Sequence, residues 1–538
     1  TMVKYLTDNF ATLGKCDEAV INLVPQREVQ NWMNEPPSRG DVTDGIKKLS
    51  NGKSGGPSQL PAEFFKAMIN DDECMDYVHA VILDFWNSGS GSVPPPNSIP
   101  PEPPPSKPSP IYGAELPPRP DGGGAVEYAS WLVAKLVLIA KKPDLGQAKN
   151  WRAVCLLEIS SKIFSNICVK RLHTVIEATS PEAQAGFRLR RGTRDAFFAL
   201  ILGLKKRREH GQDSWVCFLD LIRAFDSVPR KLLFDCCTKA GLPGHFLNLI
   251  IRLHEGASVK WGDEEILSML GVRQGSSEGP VLFLLLLQAC LESLPWPEGV
   301  RKPVFHTTDV NGKVSGERHN RKTGTTFEFW LQLFADDAAM VFETRSEMEK
   351  GLKCIIAHMR RFGLMAHVGT EGTRSKTECM FFPGRVARPP STTTTALIDG
   401  KRVKVTRLIE SPLPEQPAAS TAVPPDLSDI ALSPTTFIHF TSQFKYLGSM
   451  ITPSLTSDLD VEIRIKKASQ AFGALRNVVC DRNLKARTRG IVYKVLVATV
   501  LLHGAECWAM KDSHLRAITT FHRRCVRSMC HVTMRTTR

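Results

Sequence analysis

Two adjacent carboxylates, Asp336 and Asp337, lie between apolar runs of strand length at 327–333 and 338–342. Such runs predict a strand, a tight turn and a second strand. Adjacent side chains within a regular strand point to opposite faces, but at a hairpin tip both carboxylates can serve one site. Because two ionised carboxylates repel each other unless a cation lies between them, and because Mg²⁺ prefers oxygen ligands, the pair predicts a metal site.

A third carboxylate, Asp220, follows the apolar run 215–219, and a helix-like segment with a further acid, Asp226, comes next. One carboxylate after a strand and a pair on a hairpin are what a two-metal nucleotidyl-transfer site needs. One metal lowers the pKa of the attacking 3′-hydroxyl, and the other neutralises the leaving pyrophosphate. The spacing of Asp226 suits a helix cap or a salt bridge, so we assign it no metal role.

The blocks around these acids resemble motifs A, B and C of a reverse transcriptase of the non-LTR (LINE-type) retrotransposon class. Five more blocks resemble other segments of that family, in the same order, and the resemblance covers most of residues 40–530. The eight blocks are NGKSGGPSQLPAEFFKA (51–67), NWRAVCLLEISSKIFSNICVKRL (150–172), EAQAGFRLRRGTRDAF (182–197), FLDLIRAFDSVPR (218–230), GVRQGSSEGPVLF (271–283), FADD (334–337), SKTECMFF (375–382) and FKYLGSMIT (444–452). The resemblance implies an α+β right-hand polymerase fold, with fingers, a palm built on an antiparallel sheet, and a helical thumb.

The resemblance implies that Asp220, Asp336 and Asp337 are catalytic and hold two Mg²⁺ ions, with Mn²⁺ as a substitute, and that the Leu221 carbonyl is a further metal ligand. Nucleotide-binding residues follow by position in the motifs: Lys142, Arg152, Phe225, Gln274, Gly275 and Lys376. The partners implied are an RNA template, a DNA primer or target DNA, and a dNTP. No membrane is implied.

Each nucleotide-binding residue has a chemical rationale. Lys142 and Arg152 match positions that reach the triphosphate, and a guanidinium can hold phosphate oxygens in bidentate fashion. Phe225 matches the family's steric gate, where an aromatic ring would collide with a 2′-hydroxyl. Gly275 permits close approach of the backbone to a base pair, Gln274 can hydrogen-bond along the template or nucleotide, and Lys376 is implied as a cation near pyrophosphate. The alternatives are a surface loop for Lys142 and Arg152, a core position for Phe225, and a solvent-exposed lysine for Lys376.

Positive charge is concentrated near the C-terminus. The net charge is +14, and residues 461–538 hold 16 Lys or Arg against four Asp or Glu. Beside a polymerase site, such a basic segment favours a phosphate-backbone partner over a merely solvated surface. The candidate nucleic-acid-binding residues are Arg188, Arg190, Arg191, Arg464, Lys466 and Lys467. Single arginines among 188–191 could equally be structural.

Three helices are expected in this basic segment. Ser457 and Asp460 have the spacing of a capping box, and apolar residues recur every three or four positions from Val461. Two more helices are predicted at about 485–502 and 513–529. Three basic helices after the last motif resemble the thumb of a reverse transcriptase, which grips the template–primer without reading its bases.

The expected organisation combines these motifs with two insertions and a linker. Residues 94–110 hold ten prolines, which is typical of an extended spacer. A polar insertion is predicted at about 296–326 and a disordered insertion at about 383–435. The predicted units are an N-terminal connector (1–50), a segment before the fingers (51–92), a Pro/Gly-rich linker (93–125), fingers (126–213), palm (214–453) and thumb (454–538).

The composition sets limits on the class of protein. The 14 Cys are scattered without a CxxC pair, which predicts a reduced, intracellular protein in nucleus and cytoplasm. The longest apolar run, 280–291, is too short to span a bilayer, and no secretory signal is visible. The chain begins with Thr1, as expected of a fragment of a longer reading frame.

The sequence therefore predicts an RNA-directed DNA polymerase of a mobile element. One alternative is a decayed or domesticated element that only binds nucleic acid, which the two insertions favour and the intact carboxylates oppose. Another is an RNA-dependent RNA polymerase, which shares the palm. Phe225 and the fingers blocks oppose that reading, because a small gate residue would be expected there.

Overall fold

The computed structural model of the chain describes residues 2–10, 16–88, 125–308, 323–384, 391–398, 401–408 and 425–532. Most of the predicted Pro/Gly-rich linker, 93–124, lies outside these ranges. The chain mixes helices and sheets, in agreement with the α+β expectation. Within the described ranges, no helix combines the length and apolar character needed to cross a membrane.

The first part of the chain is mostly helical. Its elements are α1 (Met2–Phe10), α2 (Arg39–Lys47), α3 (Ala62–Ala67), α4 (Asp72–Asn87), α5 (Ala125–Leu132), β1 (Val133–Ala140), β2 (Trp151–Leu156), α6 (Ile159–Thr179) and α7 (Thr193–Glu209). Short 3₁₀ turns lie at Glu18–Leu23, Asn31–Asn34, Met68–Asn70 and Ala148–Asn150. A capping box in which Ser38 and Asp41 satisfy each other's backbone N–H groups begins α2.

The middle of the chain alternates strands and helices. Its elements are β3 (Ser214–Leu219), α8 (Arg230–Lys239), α9 (Gly244–His254), β4 (Ser258–Trp261), β5 (Glu264–Leu267), α10 (Gly279–Glu292), β6 (Val304–Thr308), β7 (Thr323–Glu328), β8 (Leu331–Phe334), β9 (Asp337–Phe342), α11 (Arg345–Arg361), β10 (Gly369–Thr370) and β11 (Glu378–Phe382).

The last part of the chain forms short hairpins and then a helical bundle. Its elements are β12 (Ser391–Ile398), β13 (Lys401–Leu408), β14 (Ile430–Ser433), β15 (Thr436–Phe440), β16 (Phe444–Tyr446), β17 (Ser449–Ile451), α12 (Asp458–Ala474), α13 (Arg476–Val479), α14 (Ala486–Tyr493), a π-helical turn (Lys494–Ala498), α15 (Thr499–Leu501), a 3₁₀ turn (Ala505–Cys507) and α16 (Asp512–Met529).

A seven-stranded sheet forms the centre of the molecule, in the order β10-β15-β11-β3-β9-β8, with β14 paired to β15. Every residue of β3 is buried. Trp215, Cys217 and Leu219 pack into the core shared with α6 and α8–α11, whereas Val216 and Phe218 pack into a second core with α7. Both faces of the sheet are therefore covered, which is why β3 reads as a continuous apolar run instead of an alternating one.

A separate four-stranded sheet has the order β2-β1-β4-β5. Strand β1 pairs antiparallel with β2 and parallel with β4, and α1 contributes Leu6 and Phe10 to the core beneath the sheet. Strands β4 and β5 fall within the predicted palm range, 214–453, but they join the strands of the predicted fingers. The predicted palm range therefore includes strands of both sheets, because the chain returns to the first sheet after α9.

The single strand predicted at 327–333 is interrupted. Strand β7 ends at Glu328, and β8 begins at Leu331. Between them the Phe329 ring packs so closely on α7 that a Cβ on Gly203 would lie 2.1 Å from it. Burial of this ring (2 % exposed) on α7 accompanies the break in the strand.

The C-terminal helices agree with the predicted spans, but their first cap differs. The Ser457 side chain makes no cap to its own helix and instead accepts a hydrogen bond from the Ala509 N–H at 3.1 Å. Asp460 accepts hydrogen bonds from the Met450 N–H (3.0 Å) and from the Trp508 indole (2.8 Å). The capping-box prediction was wrong because both side chains bind residues outside the helix.

Both predicted insertions contain regular structure where the structure describes them. Strands β6 and β7 pair within the first insertion. Within the second, predicted to be disordered, β12 pairs antiparallel with β13, from Ser391 opposite Leu408 to Ile398 opposite Lys401, and β14 joins the central sheet.

Candidate active site

The register of β3 and β9 brings two of the three predicted carboxylates together. Pairing ends with Leu219 opposite Ala338. Asp220 directly follows β3, and the residue before Ala338 on β9 is Asp337, so the antiparallel register sets these two residues opposite each other at the end of the sheet. Asp336 is the neighbouring residue in the β8–β9 turn. Local hairpin chemistry and one strand pairing thus assemble the three acids.

The three carboxylates repel one another. Reduced hydration raises the pKa of the Asp337 carboxyl to about 6, with further contributions from the negative charges of Asp336 and Asp220. Burial also raises the pKa of Asp336, and Asp220 adds to that shift. The site therefore carries more negative charge than its own surroundings compensate, and a cation would relieve the repulsion.

The donor set fits a divalent cation by its chemistry. Carboxylate oxygens are the ligands that Mg²⁺ and Mn²⁺ accept, and burial together with the neighbouring acids raises the pKa values of Asp336 and Asp337. Among the residues that the structure describes, no three His, Cys, Asp or Glu side chains converge closely enough to form a ready-made metal site. Asp220, Asp336 and Asp337 are neighbours at the end of the sheet.

Asp220 is fixed through its backbone. Its carbonyl accepts a hydrogen bond from the His367 N–H at 2.8 Å, and its own N–H donates to Thr377 Oγ1 at 3.2 Å. Leu221 forms an isolated bridge with Ala366. These contacts come from the segment that precedes β11. Thr377 was not among the predicted site residues, because nothing in its own sequence context marks a hydroxyl that accepts a hydrogen bond from the Asp220 N–H.

The basic side chain of Lys376 lies beside this part of the site. Its Nζ lies 3.6 Å from the Asp220 carboxylate, and its side chain is two-thirds exposed. The predicted basic group thus lies beside the acids, within reach of any phosphate that binds there.

The predicted gate residue, Phe225, lies between two other rings. Its centroid is 4.5 Å from that of Phe283 and 6.2 Å from that of Phe187, which meets it edge to face. The ring is half-buried, so it belongs in part to the core and in part to an accessible surface. Both readings of Phe225 are thus compatible with its surroundings.

Gln274 and Gly275 contact protein groups. The Gln274 amide donates a hydrogen bond to the half-buried Asp226 carboxylate, whose pKa is raised by reduced hydration, and Gln274 Oε1 lies 3.6 Å from the Cys155 thiol. Gly275 has φ of +83°, and a Cβ on it would lie 2.3 Å from the Cys155 carbonyl oxygen. The expected close approach is therefore to strand β2, where the sequence suggested a base pair.

Lys142 and Arg152 both lie on the β1–β2 hairpin. Arg152 is exposed on β2 opposite Ile139, and Lys142 is exposed just after β1. The hairpin therefore presents two cations to solvent from one edge of the four-stranded sheet, in agreement with either a phosphate-binding role or a surface loop.

The predicted nucleic-acid-binding arginines divide into buried and exposed groups. The Arg188 guanidinium is 7 % exposed and donates to Glu177 Oε2 (2.9 and 3.2 Å) and to the Pro181 carbonyl (3.0 Å). Arg191 pairs with Glu182, whereas Arg190 is exposed. A template contact by Arg188 is not favoured, because it would require breaking a buried ion pair.

The same division holds on α12. Arg464 is 5 % exposed, donates to the Gly448 carbonyl, and lies 2.8 Å from His503 Nδ1. Lys466 is exposed and Lys467 half-exposed. Arg464 therefore joins α12 to the β16–β17 hairpin and is not presented to a phosphate backbone.

Comparison of the sequence with those of known proteins identifies the family of the chain. A sequence model described as "Reverse transcriptase (RNA-dependent DNA polymerase)" matches residues 139–451, which includes all three carboxylates. The Pol polyprotein of the R2DM element of Drosophila melanogaster is 24% identical over 40% of this chain and 19% of its own length. An R2 polyprotein of Nasonia vitripennis is 25% identical over 44% of this chain and 21% of its length. A probable RNA-directed DNA polymerase from the Drosophila X-element is 22% identical over 74% and 37%.

The matched region spans about a fifth of the length of the R2 relatives. The prediction of a reverse transcriptase domain of the non-LTR retrotransposon type is confirmed by these matches. Because the family model covers more than half of the 538 residues, the chain belongs to the reverse transcriptase (RNA-dependent DNA polymerase) family.

Proposed function

We propose that the chain is an RNA-directed DNA polymerase that transfers a nucleotide from a dNTP to a primer 3′-hydroxyl on an RNA template. The observation that carries the proposal is the register that sets Asp220 beside Asp337, next to Asp336, within the region matched to the family. The similarity to the retrotransposon relatives supports the class of reaction. A mobile-element enzyme of this class would act in the nucleus or cytoplasm.

The proposed subdivision follows the sheets. The β2-β1-β4-β5 sheet with α1 corresponds to the fingers, the seven-stranded sheet with its helices to the palm, and α12–α16 to the thumb. The separate cores beneath the small sheet and within the helical bundle support this assignment. Each core is a candidate for independent movement, which polymerases need in order to close on a nucleotide.

Asp220, Asp336 and Asp337, with the Leu221 carbonyl, would hold two Mg²⁺ ions. Bound there, the ions would lower the pKa of the primer 3′-hydroxyl and neutralise charge on the leaving pyrophosphate. The protein's part is to hold the carboxylates together against their repulsion and to fix Asp220 through His367 and Thr377.

The remaining groups would orient the substrates. Arg152 and Lys142 would contact the triphosphate from the β1–β2 hairpin, and Lys376 would meet the pyrophosphate. The Phe225 ring would exclude a 2′-hydroxyl. Gln274 and Gly275 would act on the nucleotide indirectly, by holding the segment before α10 against Asp226 and Cys155.

The nucleic-acid contacts would come from exposed cations. Arg190, Lys466 and Lys467 are accessible, and the segment from Val461 onward is strongly basic. Such cations would bind the phosphates of an RNA template and a DNA primer without reading bases. Arg188 and Arg464 would instead maintain the protein surfaces that carry these cations.

Primer extension tests the proposal. The native chain is incubated with poly(rA)/oligo(dT), Mg²⁺ and dTTP, beside an Asp336→Asn/Asp337→Asn variant. We expect extension by the native chain, a loss of about 1,000-fold or more in the variant because metal stabilisation of the transition state is removed, and equal duplex binding by both. Replacing dTTP by UTP should slow extension if Phe225 excludes the 2′-hydroxyl.

Two outcomes would favour the other readings. If neither protein extends the primer while both bind the duplex equally, a decayed element that only binds nucleic acid becomes the better description. Preference for UTP over dTTP would favour an RNA-dependent RNA polymerase.

A further inference from the structure

The turn that carries Asp336 has a backbone conformation that needs support. Ala335, the residue before Asp336, has φ of +56° although it is not a glycine. The left-handed region is unfavourable for residues with a Cβ and persists only where surrounding contacts hold it. Ala335 is also buried (4 % exposed), so solvent does not satisfy its backbone polar groups.

The contacts come from Gln184, a buried side chain (3 % exposed) in the segment between α6 and α7. Gln184 Oε1 accepts hydrogen bonds from the Ala335 N–H at 2.9 Å and from the Gly186 N–H at 2.8 Å. Its Nε2 donates to the Ala335 carbonyl at 3.4 Å. One amide therefore binds both the N–H and the carbonyl of the strained residue.

The backbone around Gln184 is fixed to the same hairpin. The Ala185 N–H donates to the Leu333 carbonyl, and the Leu333 N–H donates to the Ala183 carbonyl, both at 2.9 Å. A Cβ on Gly186 would lie 2.2 Å from the Ala335 nitrogen, so only glycine permits this approach. The segment is joined to β8 by an isolated parallel bridge between Gln184 and Leu333, and its position fixes that of the amide.

The segment also reaches the proposed gate. Phe187, the next residue, has φ of +52°, and its ring meets Phe225 edge to face at 6.2 Å. Residues 184–187 thus contact the carboxylate-bearing turn at one end and the gate ring at the other. The links to Asp336–Asp337 and to Phe225 run through one continuous piece of backbone.

We propose that Gln184 is a positioning residue, whose amide holds the Ala335 turn so that Asp336 and Asp337 are presented together to a divalent cation. The inference rests on the proposed polymerase function for its consequence in catalysis, but its effect on cation binding can be measured separately. A purely structural glutamine would affect stability, and its removal would leave the cation affinity of the folded protein unchanged.

The test compares variants of the full chain. Gln184→Met keeps length and burial but removes all three hydrogen bonds. Gln184→Glu keeps the two accepted bonds. Asn166→Leu is the matched control, since Asn166 is a buried amide in α6 that donates to Gly45 and accepts from Ser277, away from the turn. Mn²⁺ binding is measured by electron paramagnetic resonance in the absence of substrate. Stability is measured by urea unfolding. The dependence of primer extension on Mg²⁺ concentration is measured in a separate experiment.

We expect Gln184→Met to raise the Mn²⁺ dissociation constant about tenfold and the half-saturating Mg²⁺ concentration by a similar factor, with the KM for dTTP changed less than threefold. Gln184→Glu should bind Mn²⁺ within threefold of the native chain. Asn166→Leu should lose stability and keep native Mn²⁺ affinity.

Native Mn²⁺ affinity in folded Gln184→Met would overturn the inference, as would an equal loss of affinity in Asn166→Leu. If Gln184→Met does not fold, Gln184→Asn, whose amide is too short to reach Ala335, gives the same comparison. A native chain that fails to extend any primer would count against the proposed function, while the Mn²⁺ titrations would still decide the role of Gln184.

Discussion

The Lys376 ammonium lies 3.6 Å from the Asp220 carboxylate, where it offsets part of the negative charge of three neighbouring acids. The lysine is largely exposed and reaches this position from the loop before β11, so its side chain is free to turn toward a bound phosphate. An ammonium on a flexible stem suits such a change of partner better than a guanidinium held by several fixed bonds.

Replacing Lys376 by Met should slow primer extension by about 100-fold, because a cation and proton donor near the leaving pyrophosphate is lost. Duplex affinity should remain within twofold of native. The measurement is single-turnover extension with dTTP. Lys353→Met, an exposed lysine on α11, is the control, and equal rates for the two variants would contradict a role for Lys376.

The raised pKa of Asp337, about 6, predicts a pH-dependent stability in the absence of metal. Between about pH 4 and 6 the folded protein holds a proton that the unfolded chain releases, so this group lowers stability as pH rises through that window. The side chain is accessible, and screening reduces the effect to about 1 kcal/mol.

Asp337→Asn should therefore be more stable than the native chain by about 1 kcal/mol at pH 8 in a chelator, and equal to it near pH 4. Urea unfolding at both pH values measures the difference. Adding Mg²⁺ at pH 8 should stabilise the native chain and not the variant. A pH-independent difference would show that Asp337 does not titrate as described.

Arg188 and Arg190 should respond differently to substitution. Arg188→Ala leaves Glu177 without its buried partner and should lower the free energy of unfolding by about 2–3 kcal/mol. Arg190→Gln should change the free energy of unfolding by less than about 0.5 kcal/mol. It should also lower the slope of log duplex affinity against log salt concentration by about one, as expected for the loss of one phosphate contact. Unfolding by urea and duplex titrations at several salt concentrations distinguish the two, and the reverse pattern would refute this division.

Gly275 should not tolerate a side chain. Gly275→Ala combines an unfavourable φ with a Cβ 2.3 Å from the Cys155 carbonyl, and we expect a loss of about 3 kcal/mol. Gly262→Ala is the control, because its φ is +63° but no atom lies within 4 Å of a Cβ there, so only about 1 kcal/mol should be lost. Equal losses, measured by urea unfolding, would mean that the approach to β2 is not tight.

The three acids could be predicted because their signals are local. An apolar strand before Asp220 and a short hairpin around Asp336 and Asp337 can be read directly from the sequence. The register between the two strands then brings Asp220 opposite Asp337. The partners of the other polar residues could not be predicted in this way. Gln274 binds Asp226, 48 positions earlier, and Arg464 lies against His503. Such pairs depend on how distant elements meet.

The same reason explains the errors. Ser457 and Asp460 have the spacing of a capping box, yet tertiary partners at Ala509 and Trp508 replace the local bonds. The prolines and threonines of residues 383–435 predicted disorder, but residues 391–398 and 401–408 form strands that pair with each other. Amino-acid composition describes only the average tendency of a segment to form strands, whereas strand pairing depends on the particular neighbouring segment that is available.

The junction between α12 and the β16–β17 hairpin has a mechanical consequence. Asp460 holds the Met450 N–H, and Arg464 holds the Gly448 carbonyl, so two residues one turn apart on the helix grip the tip of the hairpin. The helical bundle and the β16–β17 hairpin should therefore move together as one rigid unit. Because Phe444 and Tyr446 of the same hairpin pack on Phe218 of β3, the hairpin links the helical bundle mechanically to the central sheet.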